Sequence, residues 1–153
     1  MADKNITNSN KPDPRGVKRL TEFFMPMIPP TVTHQEKQVA VRNGKPVIYE
    51  PPELKDARAK LMAHLTGHQP DKPLSCGVRL TVKWLFYDHT GKHRDGEYRI
   101  TKPDTDNLIK LLKDCMTALG FWKDDAQVAS EHNEKFWVVE SPSGIYVKIE
   151  ELP

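Results

Sequence analysis

Four aspartates flank one amphipathic segment, "TKPDTDNLIKLLKDCMTALGFWKDDAQV", which spans residues 101–128. Asp104 and Asp106 precede the apolar run, and Asp124 and Asp125 follow it. Two carboxylates one residue apart repel each other unless a cation lies between them, and magnesium prefers carboxylate oxygens with water completing its shell. This pattern therefore indicates a divalent-metal site.

The same aspartates also have a purely structural interpretation. A carboxylate at the start of a helix can cap it and interact with the positive end of its dipole, which contributes ~0.3–1 kcal/mol at the surface. Capping readily explains one aspartate of the first pair, whereas a second mainly repels it. On this motif alone, helix capping and metal binding both remain open.

The second pair of aspartates strengthens the metal hypothesis. A helix of about 15 residues is ~22 Å long, so Asp124 and Asp125 can approach the first pair only if the chain folds back. The bulky apolar pair Phe121–Trp122 should anchor the chain as it leaves the helix. A strand after "KDDAQ" that pairs beside the strand ending near Tyr87 could carry the aspartates back along the helix.

Lys110 lies four residues after Asp106 and four before Asp114, so the three side chains share one helix face. A surface ladder of ion pairs would contribute ~0.3–0.5 kcal/mol per pair. The functional alternative is a cation held beside a scissile phosphate. On the residues alone, the ladder is the simpler interpretation.

The helix that positions these residues is predicted to run from about residue 105 to 119. Lys102 precedes Pro103 and is therefore biased toward extended backbone, so the helix should begin just after the proline, with Asp104 or Thr105 as its cap. Gly120 supplies the left-handed residue that commonly ends a helix. Apolar residues spaced by three and four form one face: Leu108, Leu111, Leu112, Cys115, Met116 and Leu119.

The remaining periodicities predict a mixed α/β (α+β) domain. "LTEFFMPMI" should be an edge or short strand, because Pro26 has no amide hydrogen to donate. Asn43–Gly44 suits the turn of a hairpin, and residues 51–68 show one apolar helical stripe. "VRLTVKWLFY" alternates strictly and displays Arg79 and Lys83 on its polar side.

"EKFWVV" and "IYVKI" flank "ESPSG" and are predicted to form a second hairpin. The order strand, hairpin, helix, strand, helix, hairpin indicates one mixed sheet covered by two helices. Residues 88–103 should loop over the surface. Residues 1–18 are predicted to be a mobile tail, and residues 19–153 one domain.

Composition excludes several other classes of protein. The 153 residues are 37% hydrophobic and 29% charged, and no apolar run approaches the ~20 residues of a membrane span. No signal pattern opens the chain, so a cytoplasmic protein is expected. Cys76 and Cys115 are too few for a disulfide framework and should be reduced thiols. A net charge of +2 is too small to indicate nucleic-acid binding by itself.

"KPDTDNLIKLLKDCMTALGFWKDDAQV" resembles the signature of the RusA family of Holliday junction resolvases, small endodeoxyribonucleases of bacteria and their phages. The resemblance is strongest over residues 102–128 and weaker over "FFMPMIPPTVTH" and the last predicted hairpin. It rests on Asp-x-Asp-Asn, a lysine four residues after the second aspartate, and Gly-Phe-Trp-x-Asp-Asp-Ala-Gln, in this order and spacing.

The resemblance implies a set of functional residues. The predicted metal ligands are Asp104, Asp106 and Asp125, with Asp124 as a further candidate, and Lys110 joins the three ligands as a catalytic residue. Lys135 matches a basic position associated with DNA, and Lys102, Arg79 and Lys83 are predicted to add DNA contacts. The resemblance also implies a RusA-like homodimer that uses Mg²⁺, with Mn²⁺ as an alternative ion, in the cytoplasm of a bacterium or as a phage-encoded protein.

The implied activity is the resolution of four-way DNA junctions by paired symmetric nicks, in recombination and repair, through magnesium-assisted phosphodiester hydrolysis. Lys110 would then stabilise the charge that develops in the transition state. The alternatives are a less selective branched-DNA or flap nuclease, a junction-binding architectural protein that does not cleave, and a cation-stabilised domain with no role on DNA.

Overall fold

Six strands and two helices follow one another in the part of the chain that the computed structural model describes, residues 19–32 and 38–153. In chain order they are β1 (Leu20–Pro26), β2 (Gln38–Arg42), β3 (Lys45–Tyr49), α1 (Pro52–Leu65), β4 (Val78–Tyr87), α2 (Thr105–Ala118), β5 (Val128–Val138) and β6 (Gly144–Glu151). The predicted tail, residues 1–18, lies outside the described residues. The elements confirm the predicted mixed α/β fold.

The main sheet has the strand order β1-β6-β4-β5. β1 is an edge strand that ends at Pro26, as predicted. The predicted hairpin between the last two strands is wrong, because β4 lies between β5 and β6. Helix α2 forms a crossover that makes β5 parallel to β4, so β5 takes one side of β4 and β6 pairs antiparallel on the other.

The pairing of β5 with β4 contains a one-residue shift at its start. Val128 is opposite Val78, but Ser130 is opposite Arg79, so Ala129 has no partner residue on β4. This is a β-bulge, which locally interrupts the ladder. Beyond the bulge the register is regular as far as Val138.

One face of the main sheet packs against the helices. The alternation of β4 is confirmed, because Val78, Leu80, Val82, Trp84 and Phe86 are all buried in the same core as the apolar faces of α1 and α2. Among the described residues, no helix is long and apolar enough to span a bilayer.

Helix α2 ends close to where the sequence predicts. Leu119 is its C-cap, and Gly120 follows in the left-handed region with φ of 82°. Phe121 and Trp122 are both buried, which confirms their predicted role as an anchor after the helix.

Burial raises the pKa of the Cys115 thiol to about 11, so this cysteine is an unreactive core residue.

The predicted hairpin around Asn43–Gly44 is confirmed, with φ of 52° and 71° at the two turn residues. Strands β2 and β3 form a separate two-stranded sheet. Its apolar side chains are uncovered: Val39 is 64% exposed, Val41 74% and Ile48 69%. A lone two-stranded hairpin is marginally stable in water, and clustered exposed apolar side chains commonly mark an interaction surface.

The charged loop 88–103 is tied to the connection between β5 and β6 by Asp95. Its Oδ1 accepts hydrogen bonds from the amides of Val139 (2.7 Å) and Ser141 (3.1 Å), and its Oδ2 accepts one from the Ser141 hydroxyl (2.6 Å). These hydrogen bonds lower the pKa of Asp95 from 3.8 to about 2, and the bond from the Ser141 hydroxyl has the largest effect.

Replacing Asp95 with Asn should lower the melting temperature at neutral pH and increase amide exchange at residues 139–141. Because the folded-state pKa is depressed, the stabilisation by Asp95 is complete above its unfolded pKa of 3.8 and is lost as the pH falls toward 2. The gap in melting temperature between wild type and D95N should therefore narrow below about pH 4. A gap that stays constant between pH 7 and pH 3 would contradict this role.

Candidate active site

A cleft of ≈ 510 Å³ opens where the first turns of α2 approach the start of β5. Its walls include two of the predicted carboxylates, Asp106 and Asp125, and the predicted lysine, Lys110. The chain does fold back after α2 through a strand beside β4, as the metal hypothesis requires. The structure thus brings together three signature residues from both ends of the segment.

The turn before β5 separates the roles of the adjacent aspartates. Asp124 caps a short 3₁₀ helix, because its Oδ1 accepts from the amide of Ala126 (2.8 Å), and its own amide donates to Oε1 of Gln127 (3.1 Å). The side-chain amide of Gln127 donates to the carbonyl of Leu74 (2.8 Å) and so fixes the turn to the body of the domain. Asp124 and Gln127 therefore hold the turn, while Asp125 lines the cleft.

Asp104 is the N-cap residue of α2, but its exposed side chain makes no capping hydrogen bond. It is not on the wall of the cleft, in contrast to Asp106. Its charge acts instead on Lys135. Burial and the charge of Arg99 lower the pKa of Lys135, and the negative charge of Asp104 partly offsets this decrease. Side-chain capping therefore does not account for Asp104, and its predicted role as a metal ligand stays a prediction.

Among the cleft residues that the sequence interpretation missed are one cation, one carboxylate and one amide: Lys113, Glu131 and Asn133. The ammonium of Lys113 pairs with Glu131 at 2.6 Å across the cleft, between α2 and β5. The start of β5 reads "ASEHNEK", with polar residues on both faces, so its periodicity does not reveal which side chains face α2. Only the parallel register with β4 places Glu131 and Asn133 on that side.

The backbone just before α2 is held by side chains from outside the segment. The ammonium of Lys135 donates to the carbonyls of Thr101 (2.6 Å) and Pro103 (2.7 Å). The guanidinium of Arg99 donates to the carbonyl of Lys102. Two of the basic residues predicted to contact DNA are therefore found here. Lys102 belongs to the segment that leads to the cleft, and Lys135 contacts this segment.

Arg79 and Lys83 lie on the opposite face of the main sheet, because they alternate with the buried positions of β4. Nε of Arg79 donates to the hydroxyl of Ser130 (3.1 Å), and the ammonium of Lys83 is 5.7 Å from the ring centre of Tyr146. The structure does not bring these two cations to the cleft. Their contact with DNA stays a prediction.

The donors of the cleft suit a hard divalent cation. Asp106 and Asp125 offer carboxylate oxygens on its walls. In the described ranges, no three His, Cys, Asp or Glu side chains are grouped as a ready-made metal cage. Magnesium is usually bound by one or two carboxylates together with water and substrate phosphate, so an open arrangement of two carboxylates fits this ion.

Two comparisons with known proteins bear on this site. The family model for Endodeoxyribonuclease RusA matches residues 27–150. The crossover junction endodeoxyribonuclease rusA of Lactococcus phage r1t is 31% identical over 108 residues, which cover 70% of this chain and 79% of the phage protein. The family-model match includes the segment that carries the aspartates and Lys110. The chain therefore belongs to the RusA family of endodeoxyribonucleases.

Proposed function

We propose that this RusA-family endodeoxyribonuclease resolves Holliday junctions by paired symmetric nicks during DNA recombination and repair. The observation that carries the proposal is that Asp106, Lys110 and Asp125 line one open cleft. It combines carboxylates for a metal with a cation for a phosphate. The name of the phage relative, a crossover junction endodeoxyribonuclease, supports four-way DNA as the substrate.

In the proposed mechanism, Asp106 and Asp125 hold a magnesium ion, or manganese in its place, and Asp104 completes the predicted ligand set. When bound, such an ion lowers the pKa of water and neutralises charge on the phosphate. The ammonium of Lys110 would provide a positive charge in the same cleft as the two carboxylates. A preorganised charge of this kind stabilises the oxyanion that develops during hydrolysis.

Paired nicks require two clefts, and each chain provides one such pair of carboxylates with Lys110 among the described residues. We therefore propose a homodimer, since a two-fold axis presents two identical sites to the two symmetric strands of a junction. The exposed apolar hairpin β2–β3, with Val39, Val41 and Ile48, is the surface that a second copy would cover.

Basic residues outside the cleft would complete the interface with DNA. Lys102 is exposed in the segment before α2, and Arg79 and Lys83 are exposed on β4. We propose that these cations contact phosphates of the junction arms, each contact adding ~0.9 to the log–log salt slope of binding. A bacterial or phage DNA substrate would place this activity in the bacterial cytoplasm.

Cleavage of a synthetic four-way junction, beside a matched duplex and a flap substrate, tests the proposed function. With magnesium, the protein should nick the junction at paired symmetric positions and leave the duplex intact; chelation of the metal should stop cleavage. Equal cleavage of the flap would indicate a less selective branched-DNA nuclease. Binding without cleavage would indicate an architectural protein. The absence of both binding and cleavage would rule out a role on DNA.

A further inference from the structure

The carbonyl groups of residues 101–105, which lead into α2, are hydrogen-bonded one after another. Only the Asp104 carbonyl depends on the backbone of α2 alone, through the amide of Leu108 (3.1 Å). The other four accept from side chains outside the segment: Thr101 and Pro103 from Lys135, Lys102 from Arg99, and Thr105 from Asn133. We call Lys135, Arg99 and Asn133 the carbonyl clamp.

Asn133 connects the clamp to the core of the domain. Its Oδ1 accepts from the indole Nε1 of Trp84 (2.7 Å), and its Nδ2 donates to the carbonyl of Thr105 (2.8 Å). The indole is a donor only, so it fixes which end of the Asn133 amide points toward α2. Because Trp84 is fully buried in the sheet, Asn133 links the first turn of α2 to the core by hydrogen bonds.

Arg99 is fixed by aromatic rings. Its guanidinium lies 4.3 Å from the ring centre of Phe86 and 4.4 Å from that of Trp137. Its Nε also donates to the hydroxyl of Thr101 (3.2 Å). A stacked, hydrogen-bonded arginine loses most of its freedom, so it can hold a carbonyl in one place.

The position of these cations is electrostatically unusual. Lys135 and Arg99 lie at the N-terminal end of α2, where the helix dipole favours negative rather than positive charge. Their charges are compensated by the backbone carbonyls and by the carboxylate of Asp104, which acts on Lys135. This pair of cations does not stabilise the helix through its dipole. It is suited instead to holding residues 101–105, the segment that leads to the aspartates.

We propose that Lys135, Arg99 and Asn133 are positioning residues, which hold residues 101–105 so that the first aspartate pair is preorganised for the metal. This inference rests on the proposed function of the cleft. It gives Lys135 a role different from the DNA contact predicted from the sequence, because its ammonium points at carbonyls of its own chain. Loss of a partner that orients metal ligands typically costs ~10–100-fold in metal affinity or activity.

The test compares Lys135→Met and Asn133→Ala with Lys55→Met, a control at an exposed position on α1. Three quantities are measured: Mn²⁺ binding to the DNA-free protein by electron paramagnetic resonance, amide exchange over residues 104–108, and single-turnover cleavage of a saturated junction against magnesium concentration. Both clamp variants should bind Mn²⁺ ~10–100-fold more weakly, exchange faster over this segment and need correspondingly more magnesium. The control should match wild type in all three.

Junction affinity, measured without magnesium at several salt concentrations, separates positioning from DNA contact. The proposal expects the same affinity and salt slope for wild type and Lys135→Met. A slope reduced by ~0.9 with unchanged Mn²⁺ binding would make Lys135 a phosphate contact and overturn the proposal. Unchanged metal binding and exchange in Asn133→Ala, which carries no charge, would overturn it as well. If wild type failed to cleave junctions, the proposed function would fail, whereas Mn²⁺ binding and exchange would still decide on the clamp.

Discussion

Asp106→Asn should abolish junction cleavage while leaving junction binding intact or stronger. Asp106 lies in the first turn of α2 and lines the cleft opposite the turn that carries Asp125. Asparagine keeps the shape of the side chain but removes the charge that a hard cation needs. The loss in rate should exceed the ~10–100-fold cost of losing a residue that only orients a metal ligand. Removal of one negative charge also reduces repulsion of the DNA phosphates.

Single-turnover cleavage at saturating protein, together with junction affinity in the absence of metal, measures both parts of this expectation. Asp56→Asn is the matched control, because Asp56 is an exposed aspartate on α1. Melting curves of both variants check that the fold is retained. If purified D106N nicks junctions at the wild-type rate in magnesium, the assignment of Asp106 to the metal is wrong.

Lys110→Ala should reduce the single-turnover rate by ~10²–10³-fold, the usual cost of removing a preorganised group that stabilises an oxyanion. The structure places Lys110 on the wall of the cleft with Asp106 and Asp125, where the proposed function puts the scissile phosphate. The alternative of a surface ion-pair ladder predicts a loss of only ~0.3–0.5 kcal/mol of folding stability per pair and nearly normal cleavage.

Lys110→Arg is the sharper variant, because it keeps the positive charge but replaces a compact ammonium with a wide planar fork. A catalytic role predicts that arginine restores activity only in part, whereas the ladder predicts full restoration. Lys60→Ala, at an exposed position on α1, controls for the loss of a surface charge. Normal rates in both Lys110 variants, beside unchanged melting curves, would leave the carboxylates alone to carry the chemistry.

Local patterns in the sequence were sufficient for the elements and for part of the site. The alternation of β4, the apolar face of α2 and the Asn43–Gly44 turn all depend on neighbouring residues, and the structure contains each of them. Asp106 and Lys110 are one helical turn apart, so their common location on the cleft also follows from local spacing.

Non-local pairing could not be predicted in the same way. The last two strands were recognised, but their direct pairing was wrong because the parallel β4–β5 ladder places β4 between them. Glu131 and Asn133 were missed for the same reason, since only that ladder turns them toward α2. The distinction between Asp124 and Asp125 did have a local signal: an acidic cap three residues before Gln127 is the spacing of a capping box.

The bulge at Ala129 decides on which face of the sheet the site is built. Side chains alternate along a strand, so one extra residue exchanges the faces of all the residues that follow. Val128 faces the core before the bulge, and Glu131, Asn133 and Lys135 face α2 after it. An insertion or deletion at this exposed alanine would therefore turn Glu131, Asn133 and Lys135 toward solvent, whereas a change of its side chain would leave them in place. Selection on activity should therefore preserve the presence of one extra residue at the bulge, and not the identity of that residue.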